Sequence, residues 1–489
     1  MIIIVRDKLY IEVESIKPIF TTIVKAYTYS NPDYFTNKAM GFSIKDIEPT
    51  IEHYNIIFDS KSNKKFLVLP RGSYPKLVSI IKKANPNIPI KIKDETVKGY
   101  AVDVHLNKDT KLEEQQITII DLLKKHKGGL AEMSPGGGKT ISALGLIADL
   151  KISTLILVHE HRLRTQWEKE LKQRLTGDFT LGRYDGDKKV DGDICIALIQ
   201  SVHTALEEDF SFFDKFGMVI VDECHRLPAL MYTRAINGCP AQYRVGLTGT
   251  VKRQDQKHFL LFDIIGERLI SIKPQHLKHR ITNFEPIYVN TNITFEAPGT
   301  RRYVNGSMKN VVDYVKLLTL LTENEERNEL ILNNIETNLK DQRIHLVLSD
   351  RVNHCKYLYD KLVEKGYKVI LLIGETRTKT KWDEIREDTS INVIVAQSSI
   401  AAEGLDFPEL TDLHLPCPSS NLPKLEQKIG RIRRLVEGKQ QPRVWDYIDN
   451  NVYFLSRTNL PLLRGAQSRR NFYEKLLIEY NQQKSLNKA

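Results

Sequence analysis

Short β-branched apolar runs alternate with longer amphipathic stretches through the middle of the chain. The runs are STLILVH (153–159), MVIVDE (218–223), YRVGLTG (243–249), IHLVLSD (344–350), KVILLIG (368–374) and INVIVAQ (391–397). Near-continuous apolar strands, each followed by a helical pattern, predict parallel sheets covered on both faces. The run of strands breaks between about 251 and 340, where Lys, His, Asn and Pro become frequent, so two α/β domains are expected to join there. Residues 1–105 differ: NPDYF, LPRGSYPKL and NPNIPIKIKDE are dense in turn residues, which predicts a separate small α+β domain. The end of the chain reads as helix, because YEKLLIEYNQQ keeps its apolar residues near a helical period. The expected boundaries are 1–105 for the N-terminal domain, 106–275 and 326–455 for the two α/β domains, 276–325 for a connecting segment and 456–489 for a helical basic tail.

Composition agrees with this division. A length of 489 residues allows two to four domains, and 41% hydrophobic with 27% charged residues excludes a disordered or fibrous chain. The five cysteines form no CxxC pair, so reduced buried thiols are expected rather than a zinc ribbon or a disulfide framework. The N-terminal apolar run is too short for a signal peptide core, and no apolar run reaches the length of a membrane span. A cytoplasmic protein is the resulting expectation. The net charge of +11 is unevenly spread: +5 in 1–105, −2 in 106–419 and +8 in 420–489. A basic excess at both ends points to a polyanionic partner contacted by the ends.

The candidate chemistry begins at GGLAEM (128–133), a buried strand that runs into Ser134-Pro135-Gly136-Gly137-Gly138-Lys139-Thr140 and the helical ISALGLIADL. This is the strand–glycine loop–helix context of a P-loop, although the first glycine of the usual pattern is replaced by Met133. Glycines let backbone N–H groups converge on phosphate oxygens, and the helix N-terminus adds its dipole. Lys139 is expected to reach the β- and γ-phosphates and Thr140 to bind Mg²⁺. A second apolar strand ends in Asp222-Glu223-Cys224-His225. Asp222 is expected to hold Mg²⁺, Glu223 to orient and deprotonate the attacking water, and His225 to sense the nucleotide. Adjacent carboxylates repel unless a cation lies beside them. Gln427-Lys428-Ile429-Gly430-Arg431-Ile432-Arg433-Arg434 places Arg431 and Arg434 three apart, on one face if the segment is helical. Two guanidiniums there suit charge developing on a transferring phosphoryl group.

Taken in order, these segments resemble the motifs of superfamily 2 helicases. LEEQQI (112–117) resembles the Q motif, with Gln116 preferred over Gln115, and SPGGGKT resembles motif I. LILVHEHRLRTQW (155–167) resembles motif Ia and ALIQSVH (197–203) the next nucleic-acid-contacting motif. DECH is similar to motif II, Leu247-Thr248-Gly249-Thr250 to motif III, IHLVLSDR to motif IV, AQSSIAAEGLDFPEL (396–410) to motif V and QKIGRIRR to motif VI. GLTGT, Glu326-Arg327-Asn328 and EGLDFP look like the UvsW, XPB and RecG-related DNA helicases, and the short N-terminal domain like the phage UvsW type.

The resemblance implies two tandem RecA-like parallel-sheet domains behind the small N-terminal α+β domain. It implies ATP and Mg²⁺, with Gln116, the loop 134–140, Gly404 and Asp406 at the nucleotide, and ATP bound between the two domains. His159, Arg162, Gln200, Ser201, Ser349 and Arg351 would meet nucleic-acid phosphates, which position a strand without reading its sequence. Thr248, Thr250 and Gln427 would couple the two sites. The expected function is an ATP-dependent helicase on branched DNA in recombination, replication or repair. The alternatives are a double-strand DNA translocase that separates no strands, and an RNA helicase. A clamp that binds ATP without hydrolysing it fits poorly with intact Lys139, Asp222, Glu223, Arg431 and Arg434. Recombination or replication proteins are expected partners. The basic N-terminal domain and the tail residues Arg464, Arg469, Arg470 and Lys475 are candidates for gripping duplex, and Tyr74 for stacking on a base.

Overall fold

The computed structural model describes the chain except residues 41–42, 135–136, 187, 209, 227–229, 252–254, 273–281, 305–306, 340–342, 375–389, 400–406, 420, 456, 459 and 487–489. Two compact units form, one from Met1–Met133 with Gly137–Ile272 and the other chiefly from Lys273–Ala489.

The first unit holds two larger sheets and, among the described residues, two two-stranded ones, His105–Leu106 with Leu175–Thr176 and Thr28–Ser30 with Thr50–Glu52. Its main sheet has eight strands in the order Lys188–Val190, Leu181–Asp185, Ile194–Leu198, Thr154–Val158, Met218–Val221, Tyr243–Thr248, Gly128–Met133 and Arg268–Ile272. All neighbours are parallel except the first pair. The interior strands Thr154–Val158 and Ile194–Leu198 are buried at every position, which is why their sequences are unbroken apolar runs. The order sets the phosphate-loop strand beside the strand ending in Thr248, and that strand beside the one leading to Asp222. The ends of parallel strands thus bring distant motifs to one sheet edge.

The N-terminal stretch forms its own five-stranded sheet over a core that includes Ile3, Leu9, Ile11, Leu67, Leu77 and Ile81. It is not separate from the first α/β domain, as the sequence suggested. Asp263, 4% exposed, accepts from Tyr29 Oη at 2.5 Å and contacts His53 Nδ1 at 3.0 Å and Lys76 Nζ at 3.5 Å. Arg244, 2% exposed, donates to the carbonyls of Asp7, Cys239 and Ile264. Arg71 donates to the carbonyls of Arg6 and Ala241. At Gly72 a Cβ would lie 2.4 Å from Gly266 N, so the backbones touch where only glycine fits. Tyr74, considered for base stacking, instead packs against the N-terminal core.

The second unit is built on six parallel strands: Glu285–Asn290, Arg443–Ile448, Asp412–Leu415, His345–Ser349, Val393–Gln397 and Val369–Leu372. The supposed strand-poor stretch therefore contains strands, and Glu285–Asn290 completes this sheet from within the supposed connection. Its pattern is half-buried rather than apolar because it lies at the sheet edge. The C-terminal helix Leu460–Leu486 is part of the unit. Arg469 donates through Nε and Nη2 to both oxygens of Asp446 at 2.8 Å, and Tyr473 Oη joins Asp446 at 3.0 Å. Arg470 stacks over Tyr288, and Lys475 faces Glu479. Arg469 is 3% exposed, so it does not serve as a basic tail residue for DNA.

All five cysteines are buried and unpaired. Among the described residues, no helix is long and apolar enough to cross a membrane.

Candidate active site

The helix Lys139–Leu150 starts directly after the glycine loop. Gly138 caps it at φ +80°, in the left-handed region that glycine adopts without strain, and its carbonyl accepts from Ser142 N at 2.9 Å. Lys139 is thereby fixed at the first helical position. Its Nζ donates to Glu223 Oε1 at 2.6 Å.

Glu223 follows the buried strand Met218–Val221 and has φ +48°, an unusual value for a side chain with a Cβ. Strain of this kind persists where surrounding contacts over-determine the backbone. Burial alone would raise the Glu223 carboxyl, but the Lys139 ammonium and His225 outweigh it and hold the group well below the usual carboxylate range. Asp222 moves the other way: burial, then the neighbouring Glu223 charge, raises it. Its Oδ2 accepts from Trp167 Nε1 at 2.9 Å and its Oδ1 from Glu223 N at 3.0 Å. A buried carboxylate raised by a neighbouring carboxylate is a fitting ligand for a divalent cation, which would offset both penalties.

From Glu223 the polar chain continues to the next strand. His225 Nδ1 lies 3.3 Å from Glu223 Oε2 and 3.0 Å from Thr248 Oγ1. Thr248 Oγ1 donates to Thr250 O at 2.7 Å and accepts from Thr250 N at 3.2 Å. With the hydroxyl proton committed to that carbonyl, Nδ1 of His225 carries the proton and donates. Lys139, Asp222, Glu223, His225, Thr248 and Thr250 thus form one connected network in the first unit, while Arg431, Arg434 and Gln427, also chosen for catalysis and coupling, lie in the second unit.

Gln116 is fully buried in the helix Glu114–Lys125, which packs on the phosphate-loop helix. Its Oε1 accepts from Glu113 N at 2.9 Å, and its buried Nε2 meets no acceptor among the described residues. Such an orphaned donor costs about 1–3 kcal/mol, and a ligand acceptor would recover it. Gln115 turns to Glu113 instead. Pro135, Gly136, Gly404 and Asp406 lie outside the described residues. Ser134 and Gly137 are buried, and Thr140 is the second residue of the helix Lys139–Leu150.

The nucleic-acid candidates fare unevenly. Ser349 is fully buried; its hydroxyl accepts from Arg351 N and bonds His354 Nδ1 at 3.0 Å, so it organises a loop and is not offered to phosphate. The His159 ring is 6% exposed, and its carbonyl accepts from Gln200 Nε2 at 3.1 Å. Burial, then the Arg226 charge, lowers His159 and favours the neutral ring. Ser201 Oγ accepts from Gly186 N at 2.7 Å. Arg162 is half-buried. Arg351 Nη2 donates to Val315 O, and the residue lines a cavity of about 510 Å³ with Asn328, His354 and Tyr357.

In the second unit the motif VI helix spans Leu422–Ile432. Arg433 is its C-cap, so Arg434 lies beyond the helix and the shared helical face with Arg431 does not form. Arg433 turns inward, donating to Thr282 O at 2.9 Å. Gln427 is half-buried on the helix, and the neighbouring Lys428 donates to Ser398 Oγ at 3.1 Å, tying motif VI to motif V.

Sequence reasoning missed two supports of the site. Trp167 orients Asp222, and its place in RTQW was visible but carried no sign of an acidic partner. Glu132, at the end of the phosphate-loop strand, accepts from Val251 N, Arg268 Nη1 and Ser271 Oγ. Nothing in the sequence marks it.

Comparison with known proteins places two profiles on the chain. One, described as the res subunit of type III restriction enzymes, matches residues 106–253. The other, the helicase conserved C-terminal domain, matches residues 326–436. Together they cover more than half of the chain. A probable helicase of Escherichia phage T5 is 29% identical over 64% of this chain and 66% of its own length. The DNA 3′-5′ translocase XPB2 of Sulfurisphaera tokodaii is 27% identical over 66% of this chain and 78% of its own. Among solved structures, the crystal structure of T4 UvsW aligns over 97% of both chains at 18% identity and a TM-score of 0.37.

Proposed function

The chain belongs to the superfamily 2 helicases, ATP-hydrolysing enzymes with tandem RecA-like domains, and from that premise we propose that it is a DNA motor that unwinds or remodels branched DNA. The observation that carries the reading is the network Lys139–Glu223–His225–Thr248–Thr250. It connects the residue expected at the phosphates to a carboxylate base and then to a neighbouring strand end.

Substrate ATP would take Lys139 onto its β- and γ-phosphates. Glu223 would then lose the ammonium that holds it ionised and become a better proton acceptor for the attacking water. His225, bonded to both Glu223 and Thr248, would pass this change to the motif III strand. A Mg²⁺ held by Asp222 and Thr140 would neutralise phosphate charge. Arg431 and Arg434 are assigned to the transferring phosphoryl group. Gln116 offers its orphaned amide to the base, and the loop 134–140, Gly404 and Asp406 complete the nucleotide contacts. DNA as the track is supported by the basic excess of +5 in residues 1–105 and by the relatives, among them one named as a DNA translocase. Contacts made through Arg162, Gln200, Ser201 and Arg351 to phosphates would be independent of sequence and sensitive to salt.

Forked DNA, a four-way junction, blunt duplex and RNA duplex compared as activators and as unwinding substrates test the reading. Forks and junctions are expected to stimulate ATP hydrolysis most and to be separated. Equal stimulation by blunt duplex with no strand separation overturns branch remodelling in favour of a double-strand translocase. Preference for RNA duplex overturns DNA as the track.

A further inference from the structure

The helix His161–Arg174 follows the strand Thr154–Val158 and carries the second half of the motif Ia segment. Its buried side is made by Leu163, Arg164, Trp167 and Leu171, which recur at about one helical turn. His161, Thr165 and Gln166 are exposed on its other side.

Two polar side chains on the buried side fix the helix at different points. Trp167, 2% exposed, donates from Nε1 to Asp222 Oδ2 at 2.9 Å. Arg164 Nε lies 3.0 Å from Asp185 Oδ2, and Asp185 Oδ1 accepts from Arg183 Nε at 2.8 Å. Asp185 ends the strand Leu181–Asp185, and the next residue, Gly186, donates from N to Ser201 Oγ at 2.7 Å. Gln200, beside Ser201, donates from Nε2 to His159 O at 3.1 Å. His159, Arg162, Gln200 and Ser201, the residues assigned to nucleic-acid phosphates, therefore hang on one hydrogen-bonded frame. That frame reaches the ATP site through Trp167.

A buried indole N–H needs an acceptor, and many acceptors would serve for packing alone. Here the acceptor is the carboxylate expected to hold Mg²⁺. Glu223 N fixes Asp222 Oδ1 at 3.0 Å, and Trp167 fixes Oδ2, so the two donors together set the plane of the carboxylate. Donors behind a metal ligand orient it, and losing one typically costs about 10–100-fold in metal affinity.

We propose that Trp167 is a positioning residue that couples the DNA track to the metal. DNA seated against the motif Ia helix shifts Trp167, and Trp167 turns the Asp222 carboxylate toward the geometry that holds Mg²⁺. The coupling is reciprocal, so nucleotide with Mg²⁺ tightens the frame for DNA by the factor by which DNA tightens metal binding. This path uses none of the bonds of the His225–Thr248–Thr250 chain. The inference rests on the DNA-motor reading above.

The test is an equilibrium measurement on the full chain, without turnover: binding of fluorescent ADP at rising Mg²⁺, with and without single-stranded DNA. In the unsubstituted chain DNA is expected to lower the Mg²⁺ needed for half-saturation about fivefold or more. Trp167→Phe keeps an aromatic ring and loses the donor. It is expected to raise the Mg²⁺ requirement about tenfold or more without DNA, and to shrink the DNA effect to less than about twofold. Leu171→Val, one turn along the same buried side, controls for packing and is expected to lower the melting temperature while leaving both readings unchanged. Should Trp167→Phe unfold at the assay temperature, Trp167→Tyr replaces it with the same expectation, because its hydroxyl lies at the end of the ring and not at the place of the indole N–H. An unchanged Mg²⁺ requirement, a DNA effect kept at full size, or equal shifts in Leu171→Val overturns the coupling. So does a DNA effect absent from the unsubstituted chain. Failure of the unsubstituted chain to bind ADP with Mg²⁺ at all defeats the motor reading itself, a distinct outcome.

Discussion

Glu223→Gln is expected to lower ATP turnover by about 10²–10⁴-fold, the usual contribution of a positioned general base. The amide keeps the size of the side chain and removes only its charge and basicity. In the structure the carboxylate is committed to Lys139 at 2.6 Å and to His225 at 3.3 Å. The same pairing that holds it ionised makes it a poor base until Lys139 leaves. Glutamine releases that lysine in advance, so nucleotide affinity should be kept or increased while hydrolysis is lost. Equilibrium binding of a non-hydrolysable ATP analogue beside steady-state hydrolysis separates the two effects. Full hydrolysis by the variant would refute the assigned role. Weakened binding would show instead that Glu223 positions the loop.

Asp446→Ala is expected to cost the second unit about 3–5 kcal/mol, the range for removing one partner of a buried ion pair. Arg469 and Asp446 are 3% and 1% exposed, and the substitution leaves a guanidinium in the interior whose remaining acceptor among the described residues is Ser419 O at 3.3 Å. Tyr473, which also donates to Asp446 and packs edge-on to Phe284, loses its acceptor at the same time. The C-terminal helix should therefore loosen first, and urea melts followed by far-UV circular dichroism would show a lower midpoint. Replacing both partners, Asp446→Leu with Arg469→Met, should recover much of the loss, because no charge is then stranded. A single substitution without effect would mean that the helix does not depend on this pair.

The interior strands and their chemistry were legible because burial on both faces demands unbroken apolar sequence. MVIVDE and YRVGLTG became Met218–Val221 and Tyr243–Thr248, with the expected polar residues at their ends. Edge elements were not legible. Glu285–Asn290 is half-exposed and its apolar run is only Ile287-Tyr288-Val289, shorter than those of the interior strands, so its place in the second sheet emerges from pairing with Arg443–Ile448. Charge was misleading for a similar reason. The C-terminal surplus includes Arg433, Arg443 and Arg469, which are spent inside on Thr282, Asp412 and Asp446. A count of arginines does not distinguish a guanidinium facing solvent from one tying a helix to a sheet. The Asp222–Trp167 contact was hidden because the two residues are 55 apart in sequence and meet only when parallel strands align.

ATP hydrolysis by this chain is expected to drive work on DNA through Lys139 and Glu223. The most direct measurement is steady-state ATP hydrolysis by the intact protein with and without forked DNA, with Lys139→Ala in parallel. Hydrolysis is expected to rise with DNA, to fall as salt is added, and to be lost in Lys139→Ala. Hydrolysis indifferent to DNA, or unchanged by Lys139→Ala, would contradict it.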